Sequence, residues 1–306
     1  KEIDKLFESV VSVYGQESNQ TTWRLCKMNL ALRGIDSSNV KWNNEGSFLN
    51  DAHPDLKADF VIANPPFNDS DWSGELLRTD GRWQYSRETP PPAGNANYAW
   101  IQHFIYHLNP KGTAGFVLAK GSLSTKTNGE DKIRKALVDA GLVDCIVNLP
   151  TKLFLNTQIP ACLWFLSRAK ESDPHHPRRD KILFIDARNM GKLINRKTRE
   201  LTNGLENQEE NDIRVIADTY HTWKAGQNYE DVPGYCKSAL VADVAALDYV
   251  LTPGRYIGLP DDEDDFDFSE RVQTLTSELE AQMAEGISLD ERIRENLSKV
   301  EVISNE

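Results

Sequence analysis

The stretch ADFVIANPPF at residues 58–67 constrains the fold of this chain more than any other. Residues 60–63 form a short apolar run that is typical of a buried central strand in a parallel sheet. The two prolines that follow must end the strand, because proline lacks the N–H group that a ladder needs and has a fixed φ. We therefore expect Asn64 and Phe67 at the carboxyl end of a strand, where open α/β sheets bind ligands.

Strand-like and helix-like segments alternate along the first two thirds of the chain. Helical patterns cover residues 19–34, 98–108 and 132–140, and strand-like runs occupy 9–17, 40–49, 60–63, 112–121, 142–150, 161–168 and 181–188. This alternation predicts an α/β fold whose parallel sheet is covered by helices on both faces. The last three strands leave little room for helices between them, so we expect an antiparallel strand at one edge of the sheet.

Residues 237–306 have a helical pattern, and we separate them as a C-terminal region from a domain at residues 1–236. An acidic linker precedes two apolar sets, at 272–283 and 287–300, which lie on either side of Gly286. Each set fits an amphipathic helix with one apolar stripe, so we expect two terminal helices. Such helices dock either on a partner or on their own chain, and the sequence leaves both interpretations open.

The formal net charge is −12, and its distribution is more informative than its sum. Residues 261–306 begin with the acidic run 261–267 and hold 15 acidic and 4 basic side chains, whereas the preceding 260 residues hold 32 and 31. A basic stripe at residues 178–199 includes the cations Arg196, Lys197 and Arg199. The acidic sum therefore does not exclude a nucleic-acid partner, and the stripe is either a contact for a phosphate backbone or a solvated basic loop.

The cysteines and histidines indicate the cellular setting. Cys26, Cys145 and Cys162 lie in apolar stretches, and no cysteine pair has the C-x-x-C spacing. We interpret them as buried free thiols, which a reducing cytoplasm favours.

The six histidines show no metal-ligand spacing, so we expect no metal. No apolar run approaches the roughly 18–20 residues of a membrane span, and no signal peptide is visible at the charged start of the chain.

The Asn-Pro-Pro-Phe motif suits methyl transfer to an exocyclic aromatic amine such as N6 of adenine. The lone pair of such a nitrogen is delocalised into the ring, so the nitrogen attacks a methyl donor poorly. Two acceptors, the Asn64 side-chain oxygen and the Pro65 carbonyl, draw it toward tetrahedral geometry and relocalise the lone pair. Phe67 offers a face on which a flipped base stacks. The alternative is a Pro65-Pro66 turn that only ends a strand.

An [N/D/S]-P-P-[F/Y/W] motif after the fourth strand is characteristic of amino-methyltransferases that use S-adenosylmethionine, and this chain resembles them. More specifically, it is similar to the modification subunits of type I restriction–modification systems in the segments YGQESNQTTWRLCKMNLALRGI, NANYAWIQHFIYHLNPKGTAGFVLAKGSL, LFLNTQIPACLWFLSR and LTPGRYIG. The resemblance covers residues 14–258. It implies an α/β fold with a Rossmann-like class I S-adenosylmethionine-dependent methyltransferase sheet and a C-terminal helical extension.

In that family the subunit methylates adenine N6 in double-stranded DNA, so the resemblance implies S-adenosyl-L-methionine as cofactor and DNA as substrate. It also implies a specificity subunit that reads the sequence, usually with two modification subunits, and a restriction subunit as a further partner. Residues 1–236 are then the catalytic domain, and residues 237–306 are expected to dock on the specificity subunit. The candidates for contact with the DNA backbone are Arg196, Lys197 and Arg199.

The resemblance assigns the catalytic roles to Asn64, Pro65, Pro66 and Phe67. Glu17, at the end of a strand, matches the acid that accepts both ribose hydroxyls of the cofactor, although a helix-capping role remains open. Ser47 and Phe48 lie where the family places residues near the cofactor adenine. Many relatives carry an acid in place of Ser47.

The sequence departs from the family at its start. The glycine-rich cofactor loop that should precede Glu17 is absent, since Gly15 is the only glycine before residue 34, and the helical N-terminal domain is absent too. We therefore expect a sheet that is incomplete at its N-terminus and a fragment that is inactive alone. Two other interpretations stay open, namely a non-catalytic scaffold for a specificity subunit and methyl transfer to RNA or to protein glutamine.

Overall fold

The computed structural model describes residues 11–86, 88–154, 159–170, 178–205, 211–259 and 268–298. The chain divides into two compact units, Lys1–Pro260 and Asp261–Glu306. The division expected after residue 236 lies inside the first unit, because the chain from 237 to 259 continues that unit with strand, helix and turn. The acidic run 261–267 lies outside the described residues.

The described residues form ten strands in three sheets. The strands are β1 Gly15–Glu17, β2 Val40–Trp42, β3 Ala58–Ala63, β4 Leu108–Ala119, β5 Val143–Asn148, β6 Ala161–Ser167, β7 Lys181–Asp186, β8 Lys192–Leu193, β9 Arg199–Glu200 and β10 Cys236–Leu240. A six-stranded sheet has the order β10-β7-β5-β6-β4-β3, and β1–β2 and β8–β9 form two-stranded sheets. The large sheet is mixed, because β6 and β10 run antiparallel to their neighbours.

Seven α-helices occur in the described residues. They are α1 Gln20–Leu32, α2 Gly46–Leu49, α3 Asn97–His107, α4 Glu130–Asp139, α5 Asp212–Ala225, α6 Val241–Ala246 and α7 Phe268–Ser298. α1 begins after Asn19, whose side-chain oxygen accepts hydrogen bonds from the backbone N–H groups of Thr21 and Thr22 at 2.9 and 3.1 Å. This cap satisfies two of the donors that the start of a helix leaves unpaired. The alternation of strands and helices is the α/β order that the sequence predicts.

The antiparallel strands lie partly elsewhere than expected. Of the three strands β5, β6 and β7, β6 is antiparallel, but it lies inside the sheet between β4 and β5. The antiparallel edge is formed by β10. A parallel return needs a crossover that usually contains a helix, and the described part of the β5–β6 connection has none.

Two hydrophobic clusters cover opposite faces of the large sheet. Consecutive residues of β5 alternate between them, with Ile146 in the first cluster and Val147 in the second. The first cluster holds Trp164 together with residues of α3 and α4, and the second holds Trp223 of α5. Helices therefore pack on both faces, as the sequence predicts.

β3 is less buried than its sequence suggests. Val61 and Ala63 pack against the first cluster, but Phe60 and Ile62 on the other face are 76% and 90% exposed. β3 also lies at the edge of the six-stranded sheet, because β1 and β2 pair only with each other among the described strands. The prediction of a buried central strand is therefore wrong for this structure.

Gly286 does not divide the C-terminal helix. α7 runs without interruption from Phe268 to Ser298, so the prediction of two helices is wrong. A glycine costs a helix only about 1 kcal/mol, which a long helix tolerates. Taken by itself, α7 presents an apolar stripe made of Val272, Leu275, Leu279, Met283, Ile287, Leu289 and Ile293.

Two smaller predictions are also wrong. Residues 40–49 form the short strand β2 and the single turn α2 rather than one strand. Cys26 is exposed on α1, whereas Cys145 and Cys162 are buried free thiols. None of the described helices has the length and apolar character that crossing a membrane requires.

Candidate functional site

The Asn-Pro-Pro-Phe segment follows the end of β3 directly. Pro65 is buried, Asn64 and Pro66 are exposed, and Phe67 is half-buried. The Asn64 side chain and the Pro65 carbonyl make no hydrogen bond to any residue that the structure describes. Two oxygen acceptors therefore stand unengaged at the carboxyl end of a strand that is parallel to its neighbour.

The residues just after the motif are fixed by the first turn of α3. Asn97 Nδ2 donates to Asn68 Oδ1 at 2.9 Å, and the backbone N–H of Asn68 donates to Asn97 Oδ1 at 3.2 Å. The backbone N–H of Ala96 donates to the Asp69 carbonyl at 2.8 Å. Asn97 is buried, and Asn68 has a left-handed backbone with a φ of 52°. These bonds hold the chain immediately downstream of Phe67. No sequence motif predicts them.

A cavity of about 660 Å³ lies beside the motif, bounded by β3 on one side and β1 on the other. Its wall contains six of the seven residues that the sequence assigns to catalysis or cofactor binding, namely Glu17, Ser47, Phe48, Asn64, Pro65 and Pro66. Small-molecule pockets have volumes of roughly 300–1,000 Å³, so the cavity has the size of a ligand site.

Glu17 ends β1 at the rim of this cavity. Its Oε1 accepts a hydrogen bond from the backbone N–H of Asn19 at 2.8 Å, while Asn19 itself provides the cap of α1. Gln16 Nε2 donates to the Asn50 carbonyl at 2.7 Å and so joins β1 to the segment after α2. Glu17 therefore combines a local backbone contact with a place in the cavity wall.

Ser47 and Phe48 are held by Arg82, a buried residue of the loop between β3 and α3. Arg82 Nη1 donates to the Ser47 carbonyl at 3.1 Å, and Nη2 donates to the Phe48 carbonyl at 2.5 Å. Asp80 accepts from Nε and Nη2 of the same guanidinium at 2.8 Å each, so the buried cation is paired. Sequence reasoning missed Arg82, because its partners are backbone carbonyls that leave no side-chain pattern.

The described part of the loop from Asn68 to Asn97 is packed against the cavity. Trp72 and Trp83 are buried, and their ring centroids lie 5.0 and 6.3 Å from that of Phe48. Trp100 of α3 completes this aromatic cluster at 4.3 Å from Phe48. Phe48 is therefore a core residue of the cluster as well as part of the cavity wall.

Asp51, His103 and His107 meet in the same wall, with one nitrogen or oxygen of each within 4.8 Å of the others. Asp51 Oδ2 lies 2.9 Å from His107 Nε2, and His107 Nδ1 lies 3.1 Å from the Leu56 carbonyl. Each ring nitrogen of His107 therefore faces an oxygen acceptor. Arg82 Nη1 donates to His103 Nδ1 at 3.2 Å. His103 and His107 lie four residues apart on α3, so the interpretation that the histidines show no metal-ligand spacing is wrong for this pair. Hydrogen bonds account for the cluster, and the absence of a metal stays a prediction.

Two pKa values in this cluster depart from their ordinary range. Burial opposes the charged form of Asp51, but hydrogen bonds from His107 and from the His53 backbone N–H outweigh it and lower the pKa of Asp51 to about 2. Burial, together with the charges of His107 and Arg82, lowers the pKa of His103 to about 3. At neutral pH the cluster therefore holds an Asp51 carboxylate and a neutral His103 ring.

Phe67 packs against the second hydrophobic cluster and is absent from the described cavity wall. Its ring meets that of Phe154 edge-on, with centroids 5.9 Å apart. Phe154 lies between β5 and β6, far from the motif in sequence. A second aromatic ring therefore stands beside Phe67, and the sequence offered no spacing that pairs the two.

The three basic residues assigned to DNA contact lie outside the cavity wall. Arg196 and Lys197 are exposed. Arg199 is only half-buried as a residue, but its Nη1 donates to the carbonyls of Met190 and Gly191 at 2.8 and 3.1 Å, so its guanidinium supports the local backbone. The structure therefore separates Arg199 from the other two.

Comparison with known proteins agrees with this geometry. The family model for N-6 DNA Methylase matches residues 4–265. The chain is 48% identical over 288 residues to the type I restriction enzyme HindI methylase subunit of Haemophilus influenzae, which covers 94% of this chain and 61% of that protein. It is 38% identical over 292 residues to the MjaIX methylase subunit of Methanocaldococcus jannaschii, which covers 94% and 50%. The chain therefore spans about half to three fifths of the length of these relatives.

Solved structures share the fold. The type I restriction–modification methyltransferase subunit from Streptococcus thermophilus superposes with a TM-score of 0.65 at 26% identity, over 80% of this chain and 48% of that one. The EcoKI M protein superposes with a TM-score of 0.58 at 20% identity, over 92% and 61%. The predicted α/β methyltransferase fold and the resemblance to type I modification subunits are both confirmed. This chain belongs to the N-6 DNA methylase family.

Proposed function

We propose that this chain transfers a methyl group from S-adenosyl-L-methionine to N6 of adenine in double-stranded DNA, as part of a type I modification subunit. The observation that carries the proposal is the position of Asn64 and Pro65, whose oxygens are unengaged at the end of β3. Both residues line a cavity whose wall also contains Glu17. Membership in the N-6 DNA methylase family supports the acceptor atom.

The two acceptors prepare the nitrogen for attack. Asn64 Oδ1 and the Pro65 carbonyl accept the two hydrogens of the adenine amino group, which localises the nitrogen lone pair as the new bond forms. One preorganised partner of this kind contributes ~3 kcal/mol to the transition state. After methylation the nitrogen is cationic and acidic, and it releases one amino proton to water, so no strong base is needed at this position.

The motif is rigid before the substrate arrives. Two consecutive prolines fix the backbone dihedrals that aim the Pro65 carbonyl, and the Asn68–Asn97 bonds fix the chain beyond Phe67. Phe67 offers a ring for the flipped adenine, and such stacking contributes roughly 1–3 kcal/mol per base. This offsets part of the few kcal/mol that flipping a base out of a duplex costs.

The cavity suits the adenosine end of S-adenosyl-L-methionine, which supplies an electrophilic methyl group when bound. Glu17 is placed to accept hydrogen bonds from ribose hydroxyls, and the backbone of Ser47 and Phe48 is fixed beside the cavity by Arg82. Among the lining residues only Gly15 and Gly46 are glycines, so the described wall has no glycine-rich cradle for the methionine end. We propose that a further strand and its loop complete the wall along the open edge of β3.

The same proposal covers partners. Sequence reading belongs to a specificity subunit, with a second modification subunit and a restriction subunit as further members of the complex. Residues 237–306 supply the docking region for the specificity subunit, and the apolar stripe of α7 supports this role, since it offers a partner helix a continuous surface. DNA as substrate is consistent with a reducing cytoplasm as the expected compartment.

The test uses the complete modification subunit in which these residues occur, assembled with its specificity subunit and given S-adenosyl-L-methionine and unmethylated plasmid. The DNA is digested, and methylated nucleosides are quantified by mass spectrometry. We expect N6-methyladenine that depends on the cofactor and on the specificity subunit. Methyl groups found only on RNA or on protein glutamine, or no methyladenine from an assembled complex, would refute the proposal.

A further inference from the structure

A basic hairpin spans residues 191–200, after β7. Its two short strands, β8 and β9, pair antiparallel through Lys192 with Glu200 and Leu193 with Arg199. Asp212, at the start of α5, ties the base of the hairpin, because its Oδ2 accepts from the backbone N–H of Gly191 at 3.1 Å and of Thr202 at 2.9 Å. The hairpin therefore has a defined backbone, and its residues 192–197 are exposed.

The tip of the basic hairpin is a tight turn that presents two cations. Asn195 Oδ1 accepts from the backbone N–H groups of Lys197 and Thr198 at 2.8 and 2.9 Å, and the N–H of Ile194 donates to the Thr198 carbonyl at 3.0 Å. Arg196 and Lys197 occupy the middle of the turn, and both are exposed. The turn thus presents two exposed cationic side chains on a backbone held by hydrogen bonds.

The basic hairpin also exposes an apolar pair. Leu193 is 54% exposed and Ile194 is 59% exposed, immediately before the cationic turn. Protein elements that enter a DNA groove and wedge between bases typically combine apolar side chains with cations. The apolar side chains contact the bases, and the cations bind phosphates on either side.

A chain of contacts connects the hairpin to Phe67. Lys152 Nζ donates to the Arg196 carbonyl at 3.0 Å, and the backbone N–H of Arg199 donates to the Lys152 carbonyl at 2.9 Å. Phe154, which contacts Phe67, lies two residues after Lys152, a span of at most about 7 Å. Lys152 has a φ of 68°, a left-handed conformation that a long side chain seldom adopts and that is typical of functional sites.

The base of the hairpin and the motif share one packing surface. Met190 and Leu201 flank the hairpin, and both pack against the same hydrophobic cluster as Phe67 and Phe154. The residues that flank the hairpin and the ring on which a base would stack therefore pack against one hydrophobic cluster.

We infer that the basic hairpin is a wedge that enters the DNA duplex at the target base pair, with Leu193 and Ile194 against the opened base step and Arg196 and Lys197 on the flanking phosphates. The inference rests on the proposed function. A base in a duplex must be unstacked and unpaired before it reaches the acceptors of the motif. An apolar wedge stabilises the opened step, and this lowers the cost of flipping.

DNA is favoured over a protein as the occupant of this surface. Arg196 and Lys197 at the turn are exposed cations. The acidic residue of the hairpin, Glu200, lies at its base, away from the turn. The hairpin is also connected, through Lys152 and Phe154, to Phe67 of the motif. Because the proposed partner of Phe67 is the flipped base, a surface connected to Phe67 suits DNA better than a protein.

The test compares two substrates in single-turnover methylation by the assembled complex. One duplex carries the target adenine opposite thymine, and the other carries it opposite an abasic site, where flipping costs less. We expect the double variant Leu193→Ala/Ile194→Ala to methylate the paired target about tenfold or more slowly than the wild type, and the abasic target at nearly the wild-type rate. Val232→Ala, an exposed valine outside the hairpin, is the matched control and is expected to change neither rate.

A companion variant tests the cations. Arg196→Gln/Lys197→Gln is expected to weaken DNA binding and to reduce the slope of log K against log salt by about 2, because each phosphate contact contributes roughly 0.9 to that slope. An equal loss on both targets by the apolar variant, or no loss on either, would contradict the wedge. Failure of that variant to assemble with the specificity subunit would show a protein partner instead. If the wild type methylates neither target, the proposed function fails rather than the wedge.

Discussion

The two sides of the cavity are built differently. On the motif side, β3 pairs with β4 over its length, and the residues beyond Phe67 are locked to the buried start of α3. On the side proposed to bind the cofactor, called here the cofactor side, β1 pairs only with β2 among the described strands, and α1 has no buried residue among those described. Leu25 and Met28 of α1 are both more than half exposed.

This difference shows which side of the cavity is held in place by the packing of the chain itself. The motif side has its geometry fixed by prolines, a parallel strand and buried hydrogen bonds, so it is preorganised without a ligand. The cofactor side is fixed by a few polar contacts to the segment around α2, such as the Gln16–Asn50 hydrogen bond. We therefore expect cofactor binding and additional structure on the open side of β3 to stabilise the cofactor side more than the motif side.

The largest expected effect contrasts two tryptophans. Trp164→Ala removes a fully buried ring from the first cluster and is expected to lower the free energy of unfolding by about 3–5 kcal/mol. Trp42→Ala, on the cofactor side where the ring is 42% exposed, is expected to cost under about 1 kcal/mol. Urea denaturation of both variants measures the difference. Similar losses would show that the cofactor side is as integrated as the motif side.

The next prediction concerns the positioning residue Asn97. Asn97→Leu removes both bonds to Asn68 and is expected to lower the methylation rate of the assembled complex roughly 30-fold, which corresponds to about 2 kcal/mol. Asn97→Asp still accepts from the Asn68 backbone, and rotation of the Asn68 amide restores the second bond, so its rate is expected within about threefold of the wild type. Equal losses in the two variants, or a change only in thermal stability, would remove Asn97 from the positioning of the motif.

The cluster around Asp51 predicts a dependence of stability on pH. The pKa of Asp51 is lowered to about 2 in the folded chain, so its contribution is present above pH 4 and is lost as the pH falls from about 4 toward 2. Asp51→Asn is therefore expected to be less stable than the wild type by about 1–2 kcal/mol at pH 6, with the gap closing near pH 2. Unfolding curves measured at intervals over this range test it. A gap that does not change with pH would mean that the Asp51 charge is not the stabilising group.

The smallest effect is expected at Glu17. Glu17→Gln keeps the acceptor for the Asn19 backbone but removes the charge, so the affinity for S-adenosyl-L-methionine is expected to fall about tenfold, or about 1.4 kcal/mol. Calorimetric titration of the complete subunit measures this. An unchanged dissociation constant together with a less stable α1 would assign Glu17 to local structure alone.

The same contrast explains what the sequence could predict. The apolar run before Asn64 and the alternation of segments predict the α/β fold. The Asn-Pro-Pro-Phe residues and Glu17 are recognisable because they end or follow a strand, whereas Ser47 and Phe48 come from the family resemblance alone, and the roles of all seven stay predictions. Arg82 could not be predicted, because it donates to the backbone carbonyls of Ser47 and Phe48. Asn97 could not be predicted either, because its partner Asn68 lies 29 residues away in the sequence. The edge position of β3 was also missed, since an apolar strand has the same composition whether its neighbour is present or not.

The central claim is that Asn64 prepares the acceptor nitrogen for methyl transfer. The most direct measurement is single-turnover methylation of duplex DNA by the assembled complex with Asn64→Ala, alongside the dissociation constant for S-adenosyl-L-methionine. We predict a rate that falls by about 10²–10³ while the cofactor affinity stays within about twofold. A rate that stays near the wild type with cofactor and DNA both bound would contradict the claim and move the chemistry away from the end of β3.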